Sequence, residues 1–122
     1  MVPVHDEAEN LAPLVGEIRH ALSGQVQYEI VYVDDGSADD TPARLRTLQR
    51  DVPELRVIRH RHGCGQSAAI HTGVQHARGR YVATLDGDGQ NDPADIPRLL
   101  EALLAAPANG ARMVVGQRAT RH

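Results

Sequence analysis

The chain has 122 residues, of which 41% are hydrophobic and 24% are charged, and its formal net charge is −3. This length and mix predict one soluble globular domain with a single hydrophobic core. All 13 of its lysine-plus-arginine residues are arginine, and the negative balance, with three tyrosines as the only aromatic residues, argues against a nucleic-acid partner.

The first half of the chain predicts strands and helices in alternation. Residues 2–4 indicate the end of a first strand, and five apolar residues then follow at helical spacing: Leu11, Leu14, Val15, Ile18 and Leu22. Residues 28–33 are rich in β-branched and aromatic side chains, which predicts a second strand that runs into Asp34 and Asp35. Thr41 and Pro42 are typical of a helix N-cap and a first helical position.

The second half continues this alternation. Residues 55–58 predict a third strand, residues 66–77 predict a helix that Gly79 ends, and residues 81–85 predict a fourth strand. Asp92 and Pro93 indicate another helix start. The helix that follows is amphipathic, with apolar positions at Ile96, Leu99, Leu100, Leu103 and Leu104. Residues 113–115 predict a fifth strand.

Strands that alternate with helices predict an α/β fold with a mostly parallel sheet flanked by helices. Such sheets bind ligands beyond the carboxyl ends of their strands, and here polar residues follow all five predicted strands. These residues should therefore face one crevice. Few residues precede the first strand and few follow the fifth, so we expect residues 1–122 to form a single, shortened domain.

The strongest chemical signal is Asp86-Gly87-Asp88-Gly89-Gln90, directly after the fourth predicted strand. Two carboxylates at positions i and i+2 can turn toward one cation, and carboxylate and amide oxygens suit hard ions such as Mg²⁺ or Mn²⁺. Such an ion would neutralise a diphosphate leaving group as its bond breaks. A solvated turn is the alternative, but the preceding strand and the following helix start favour a cation site.

Two other uses of paired aspartates do not fit the sequence. A calcium loop of the EF-hand type requires glycine and glutamate where the chain has Asn91 and Pro97. A phosphatase of the haloacid-dehalogenase type, with Asp86 as nucleophile, requires a hydroxyl residue in place of Gln90 and a later lysine. The absence of lysine also excludes a Walker phosphate-binding loop.

The other strand ends carry weaker candidates. As an exposed carboxylate, Asp35 could accept hydrogen bonds from a nucleobase or ribose, whereas a hydrogen-bonded turn is the alternative for Asp34 and Asp35. The loop at Gly65 could bring backbone N–H groups to a phosphate. Arg118 could pair with phosphate oxygens through its guanidinium group. Cys64 is interpreted as a small packing residue, because the sequence identifies no helper base for it.

Two further polar groups lie near the predicted crevice. Glu7 could serve a ligand or could only complement the dipole of the first helix. Residues 60–62, His-Arg-His, could add positive charge beside the Gly65 loop or could form a solvated basic loop.

Four segments resemble the motifs of the family 2 glycosyltransferases, and within that family those of the polyprenyl-phosphate hexosyltransferases. They are VPVHDEAEN at 2–10, VYVDDGSADDT at 31–41, GQSAA at 65–69 and ATLDGDGQNDP at 83–93. They occur in the family's order over nearly the whole chain. The resemblance implies a Rossmann-like fold of the GT-A type and inversion at the anomeric carbon. His5, Gly87 and Gly89 depart from the usual pattern, the first replacing an aromatic residue and the others bulkier ones.

The resemblance also implies roles for individual residues. The nucleotide-sugar pocket would be lined by Pro3, Val4, Glu7, Asp35, Gly65, Asp86 and Gly87. A Mg²⁺ or Mn²⁺ ion on the donor diphosphate would be held by Asp86, Asp88 and Gln90. Asp88 and Arg118 would be catalytic, with Arg118 close to the phosphate of the donor or the acceptor.

The implied function is transfer of a hexose from a UDP- or GDP-sugar to a polyprenyl phosphate. The alternatives are transfer to a saccharide hydroxyl in polysaccharide or cell-envelope synthesis, and nucleotide binding without turnover, because the family's acceptor-side half is missing from this sequence. No apolar run approaches the roughly 18 residues that a membrane span needs, and no secretory signal is visible. We therefore expect a cytoplasmic protein with peripheral contact to the membrane.

Overall fold

The computed structural model describes residues 1–105, which form a sheet covered by helices. In chain order, its strands and helices are β1 (Val2–Val4), α1 (Leu11–Leu22), β2 (Ile30–Asp35), α2 (Thr41–Asp51), β3 (Leu55–His60), α3 (Gln66–His76) and α4 (Ile96–Ala105). Short 3₁₀ turns precede α1 and α4, at Ala8–Asn10 and Pro93–Asp95. The strand predicted at residues 113–115 lies outside the described residues.

The three strands are parallel and lie in the order β1-β2-β3. At their carboxyl ends, Val4 is level with Asp34, and Asp35 is level with His60. All three strands therefore deliver their polar ends to the same edge of the sheet. The arrangement confirms the predicted α/β fold, a Rossmann-like parallel sheet flanked by helices.

Helix α1 covers one face of the sheet with the residues whose spacing predicted it. All five of its periodic apolar side chains are buried, and they pack in one cluster with Val2, Val4 and Tyr32 of the strands. Removing each such side chain from water contributes about 1.5–3 kcal/mol. A smaller cluster joins Ala69 of α3 to Val31 and Val33 of β2. The sheet is thus anchored through both sets of alternating side chains.

The predicted fourth strand is not formed as a strand in the structure. Its segment, residues 81–85, still lies beside β1, because the Met1 amino group donates to the carbonyl of Ala83 and the Leu85 N–H donates to the carbonyl of Met1. This is the pattern of a parallel ladder. The next donor along that edge of β1 would be residue 3, and Pro3 has no N–H to give. The ladder therefore stops after one residue.

The two predicted helix starts differ in outcome. The side chain of Asp92 accepts a hydrogen bond from the N–H of Ala94, as an N-cap should. Thr41 is instead the first residue of α2, and its hydroxyl accepts a hydrogen bond from the N–H of Glu7 at 3.1 Å. The hydroxyl therefore fixes the loop after β1 to α2, a tertiary role that a local capping pattern does not reveal. Within residues 1–105, no helix combines the length and the apolar character that crossing a bilayer demands.

Candidate functional site

A cleft of about 290 Å³ opens at the carboxyl ends of β1 and β2. Its lining brings together four segments that are far apart in the chain. The residues that line it are Pro3, Val4, His5, Glu7, Asp35, Gln66, Ala69, Asp86, Gly87 and Asp88. Six of the seven residues predicted for a nucleotide-sugar pocket are therefore at the cleft, and the seventh, Gly65, lies next to it. The edge of the sheet is where a parallel α/β fold binds its ligands.

The Asp86-Gly87-Asp88 segment crosses directly over the end of β1. Gly87 is buried, and a Cβ placed on it would lie 2.6 Å from Cγ1 of Val4 and 3.0 Å from the carbonyl oxygen of Pro3. Only glycine fits so close to another backbone. Asp86 and Asp88, the neighbours of Gly87 in the chain, both line the cleft. Gly87, which departs from the family's usual pattern, is thus fitted to this particular strand end.

Hydrogen bonds hold the loop at residues 86–90, and each of its two carboxylates accepts one. The N–H of Asp86 donates to Oδ1 of Asn91 at 2.8 Å, and Nε2 of Gln66 donates to Oδ1 of Asp86 at 3.3 Å. The N–H of Gln90 donates to Oδ1 of Asp88 at 3.0 Å. The positive φ of Gly89, 80°, allows the chain to turn between Asp88 and Gln90. The side chain of Gln90 is exposed and is not among the residues that line the cleft.

The lining of the cleft carries an excess of negative charge. Among residues 1–105, four carboxylates line it, from Glu7, Asp35, Asp86 and Asp88, and His5 is the one lining side chain that can carry positive charge. An anionic ligand would meet repulsion here unless a cation came with it. Asp86 and Asp88 offer carboxylate oxygens, which are the donors that Mg²⁺ and Mn²⁺ prefer, so these residues fit the predicted ion.

Asp35 is buried, with 7% of its surface exposed, so the expectation of an exposed carboxylate is wrong. Its Oδ1 accepts hydrogen bonds from Nδ1 of His60 at 2.7 Å and from the N–H of Cys64 at 2.9 Å, and its Oδ2 accepts one from the N–H of Gly65 at 2.9 Å. Burial alone would raise the pKa of Asp35, but these hydrogen bonds outweigh it and hold the pKa below its ordinary value of 3.8. The carboxylate stays ionised in the wall of the cleft.

Asp34 takes the structural role that was its alternative in the sequence. It is fully buried, and its Oδ1 accepts a hydrogen bond from the N–H of Ser37 at 3.1 Å. Arg59 lies 3.7 Å from its other oxygen. Asp34 therefore closes the turn after β2, while the neighbouring Asp35 reaches the cleft.

Glu7 and His5 tie the first strand end to its surroundings. Glu7 is half-buried, and its carboxylate accepts a hydrogen bond from Nδ2 of Asn10 at 2.7 Å. Nδ1 of His5 lies 2.8 Å from the carbonyl oxygen of Asp35, and its Nε2 lies 3.4 Å from a carboxylate oxygen of Asp6. The bond to the Asp35 backbone and the charge of Asp6 raise the pKa of His5 above its ordinary value of 6.5. The imidazole is thus held in its charged form more strongly than a free histidine.

The glycine-rich loop before α3 lies beside the cleft. Gly65 has φ of 98° and directs its N–H to Asp35. Cys64 is exposed, so its interpretation as a packing residue is wrong. Its sulfur donates to the carbonyl of His62 at 3.3 Å and lies near His60 and Asp35. His60 is mostly buried against Asp35 and is not part of a solvated loop.

Sequence reasoning did not select three residues that the structure places at the cleft: His5, Gln66 and Ala69. Gln66 and Ala69 belong to the GQSAA motif, of which only Gly65 was predicted as a site residue. His5 follows Pro3 and Val4 directly, and its position beside them was the available signal. Arg118, predicted to be catalytic, lies outside the described residues.

The chain resembles known proteins over most of its length. The pattern described as Glycosyl transferase family 2 matches residues 1–121. The dolichol-phosphate mannosyltransferase of Pyrococcus furiosus is 37% identical over 118 residues, which are 97% of this chain and 32% of that protein. The dodecaprenyl-phosphate galacturonate synthase of Rhizobium johnstonii is 40% identical over 105 residues, which are 84% of this chain and 31% of that protein. The chain thus spans about a third of the length of these relatives.

A solved structure shows the same likeness in three dimensions. A mannosyltransferase from Pyrobaculum calidifontis, in complex with GDP-Man and Mn²⁺, superposes with a TM-score of 0.77 at 27% sequence identity. The superposition covers 87% of this chain and 31% of that one. Sequence pattern, relatives and fold agree, and the chain belongs to glycosyl transferase family 2.

Proposed function

We propose that this chain carries the donor-binding site of an inverting enzyme that transfers a hexose from a nucleoside-diphosphate sugar to a polyprenyl phosphate. The observation that carries the proposal is the negatively charged cleft, which Asp35, Asp86 and Asp88 line together. A divalent cation would offset the repulsion between a diphosphate and these carboxylates. The relatives named for polyprenyl phosphates, and the structural neighbour that holds GDP-Man and Mn²⁺, support this choice.

We assign the donor to the cleft by the chemistry of its two sides. Pro3, Val4 and Asp35 offer an apolar surface beside an ionised acceptor, which suits a base and its polar edge. Glu7, Gly65 and Gly87 complete this pocket. Asp86 and Asp88 would hold Mg²⁺ or Mn²⁺, and the sequence prediction adds Gln90 as a third ligand. The cation, when bound, neutralises the charge that develops on the leaving diphosphate.

The reaction balances without a protein base. An oxygen of the lipid phosphate is already anionic, so it can attack the anomeric carbon without losing a proton. The bond from that carbon to the diphosphate breaks, and the nucleoside diphosphate leaves with the electron pair. A single displacement from the opposite face inverts the configuration. Arg118 is proposed to approach the phosphate of donor or acceptor. A lipid acceptor would place the protein at the cytoplasmic face of the membrane.

Calorimetry of UDP and GDP binding, with and without Mn²⁺, tests the donor site. We expect binding that requires Mn²⁺ and that is lost in Asp88→Ala. Asp51→Ala removes an exposed carboxylate at the end of α2, away from the cleft, and should bind like the wild type. Equal binding without the metal, or in Asp88→Ala, would refute the cation site.

Turnover with a polyprenyl phosphate is the second measurement. We expect release of nucleoside diphosphate that depends on both the lipid phosphate and Mn²⁺. Binding without any turnover would contradict the enzymatic part of the proposal and would favour a nucleotide-binding remnant.

A further inference from the structure

A cluster of three ligand-bearing side chains lies behind the cleft, on the side of β3. The ligand atoms of Asp35, His60 and Cys64 all lie within 4.8 Å of one another. Asp35 ends β2, His60 ends β3, and Cys64 lies in the loop that follows, so three parts of the chain converge here. We propose that this cluster is a second cation site, selective for a thiophilic divalent ion of the zinc class.

The backbone holds the cysteine in place. The N–H groups of Cys64 and Gly65 both donate to the Asp35 carboxylate. Gly36, with φ of 69°, packs against the same loop so closely that a Cβ on it would lie 2.5 Å from the backbone nitrogen of Gly63. These backbone contacts position the sulfur of Cys64 near Asp35 and His60.

The hydrogen bonds of His60 match those of a metal-binding histidine. Nε2 of His60 lies 2.8 Å from Oγ1 of Thr72, and Nδ1 lies 2.7 Å from Oδ1 of Asp35. Histidine ligands commonly donate their distal N–H to such a neighbouring oxygen, which fixes the tautomer and the ring. With Nε2–H donated to Thr72, Nδ1 presents its lone pair to a cation that takes the place of the proton between His60 and Asp35.

The donor atoms select the ion. Zinc binds sulfur at about 2.3 Å and nitrogen or oxygen at about 2.0–2.2 Å, so its tetrahedral ligands lie roughly 3.3–3.8 Å apart. Nδ1 of His60 and Oδ1 of Asp35, which are 2.7 Å apart, must therefore separate by roughly 0.6 Å, and the sulfur of Cys64 must move inward by roughly 1–1.5 Å at most, which rotation of its exposed side chain can supply. A set of sulfur, nitrogen and oxygen donors favours zinc over Mg²⁺ or Mn²⁺, and water would complete the coordination.

The two sites share one wall. Asp35 faces the cleft and also belongs to the cluster, so an ion bound between Asp35 and His60 displaces this carboxylate and changes the surface offered to a ligand. The ion and the ligand should therefore weaken each other's binding, by the same factor in both directions. This consequence rests on the proposed donor site, whereas the cation site itself does not.

Cobalt(II) is the probe for the test, because a thiolate bound to Co²⁺ gives charge-transfer absorption in the near ultraviolet. We expect this absorption on titrating the 122-residue chain with CoCl₂, and its loss on adding Zn²⁺. Cys64→Ser should abolish it, and Thr72→Val should weaken Co²⁺ binding by about tenfold or more. An absent band, or a band that persists in Cys64→Ser, would overturn the proposal.

Matched variants separate this site from other metal binding. His71→Gln removes an exposed histidine of α3, the helix that carries Thr72, and it should leave the Co²⁺ titration unchanged. Asp88→Ala should also leave the band intact, because it acts on the other site. Zn²⁺ should then weaken GDP binding in the wild type but not in Cys64→Ser. If GDP does not bind at all, the donor site fails while the cobalt result stands alone.

Discussion

The two walls of the cleft differ in how far their polar groups are already satisfied. The β3 wall is Asp35, which is 7% exposed and whose carboxylate accepts three hydrogen bonds from residues behind the cleft, His60, Cys64 and Gly65. The β1 wall, made of Pro3, Val4, Asp86, Gly87 and Asp88, includes the exposed carboxylate of Asp88. The β3 wall is therefore preformed for recognition, whereas the β1 wall presents the exposed carboxylate of Asp88 to a cation from solution.

The largest effect should come from breaking the β3 wall at Gly36. In Gly36→Ala, the new Cβ would meet the backbone of His62 and Gly63 at a positive φ, which should cost roughly 2–4 kcal/mol of unfolding free energy. Gly24→Ala is the matched control, because Gly24 also has positive φ but open space around it, and about 1–2 kcal/mol is expected. Urea unfolding of both variants measures the difference. Equal losses would show that the loop does not pack as described.

The β1 wall should break next, at Gly87. A methyl group on Gly87 would displace Val4 and the backbone of Pro3, so Gly87→Ala should lower the unfolding free energy by about 1–3 kcal/mol and abolish Mn²⁺-dependent nucleotide binding. Gly16→Ala adds the same methyl group in open space on α1 and should be neutral or stabilising by up to about 1 kcal/mol. Nucleotide binding that survives in Gly87→Ala would contradict the close crossing.

Lowering the pH should reduce the unfolding free energy through Asp35 of the β3 wall. Because the pKa of Asp35 is lower in the folded chain than its ordinary 3.8, its stabilisation is full above that value and is lost as pH falls through the folded pKa. In Asp35→Asn, an amide N–H₂ faces hydrogen-bond donors, which should cost about 1–3 kcal/mol at neutral pH. The difference in unfolding free energy between wild type and Asp35→Asn should then be smaller at about pH 3 than at neutral pH. Urea unfolding at both pH values would refute this if the difference stayed constant.

The smallest effect concerns His5, which joins the two walls. Its pKa is raised in the folded chain, so its contribution is present below the ordinary value of 6.5 and is lost as pH rises through the folded pKa. Its side chain is largely exposed, so the effect on stability should be slight. An NMR titration should place the ring's midpoint above 6.5, and Asp6→Asn should lower it. A midpoint at or below 6.5 would show that the contacts to Asp35 and Asp6 are not formed.

The spacing of apolar residues predicted those elements of the fold that depend on local sequence. The apolar spacing in α1 gave both the helix and its buried face, and the order of strands gave the edge where the cleft lies. The fourth strand was not formed, because its extension depends on a partner whose Pro3 lacks an N–H. The burial of Asp35 was also out of reach, since its partners His60 and Cys64 come from distant positions. Local patterns do not reveal such non-local hydrogen bonds.

We propose that Asp86 and Asp88 hold a divalent cation that in turn holds a nucleotide's diphosphate. A crystal structure with Mn²⁺ and GDP or UDP tests it most directly. We predict Mn²⁺ within coordination distance of a carboxylate oxygen of each aspartate and of the diphosphate, with the base against Pro3 and Asp35. A nucleotide bound elsewhere, or Mn²⁺ absent from these two carboxylates while nucleotide fills the cleft, would contradict the proposed cation site.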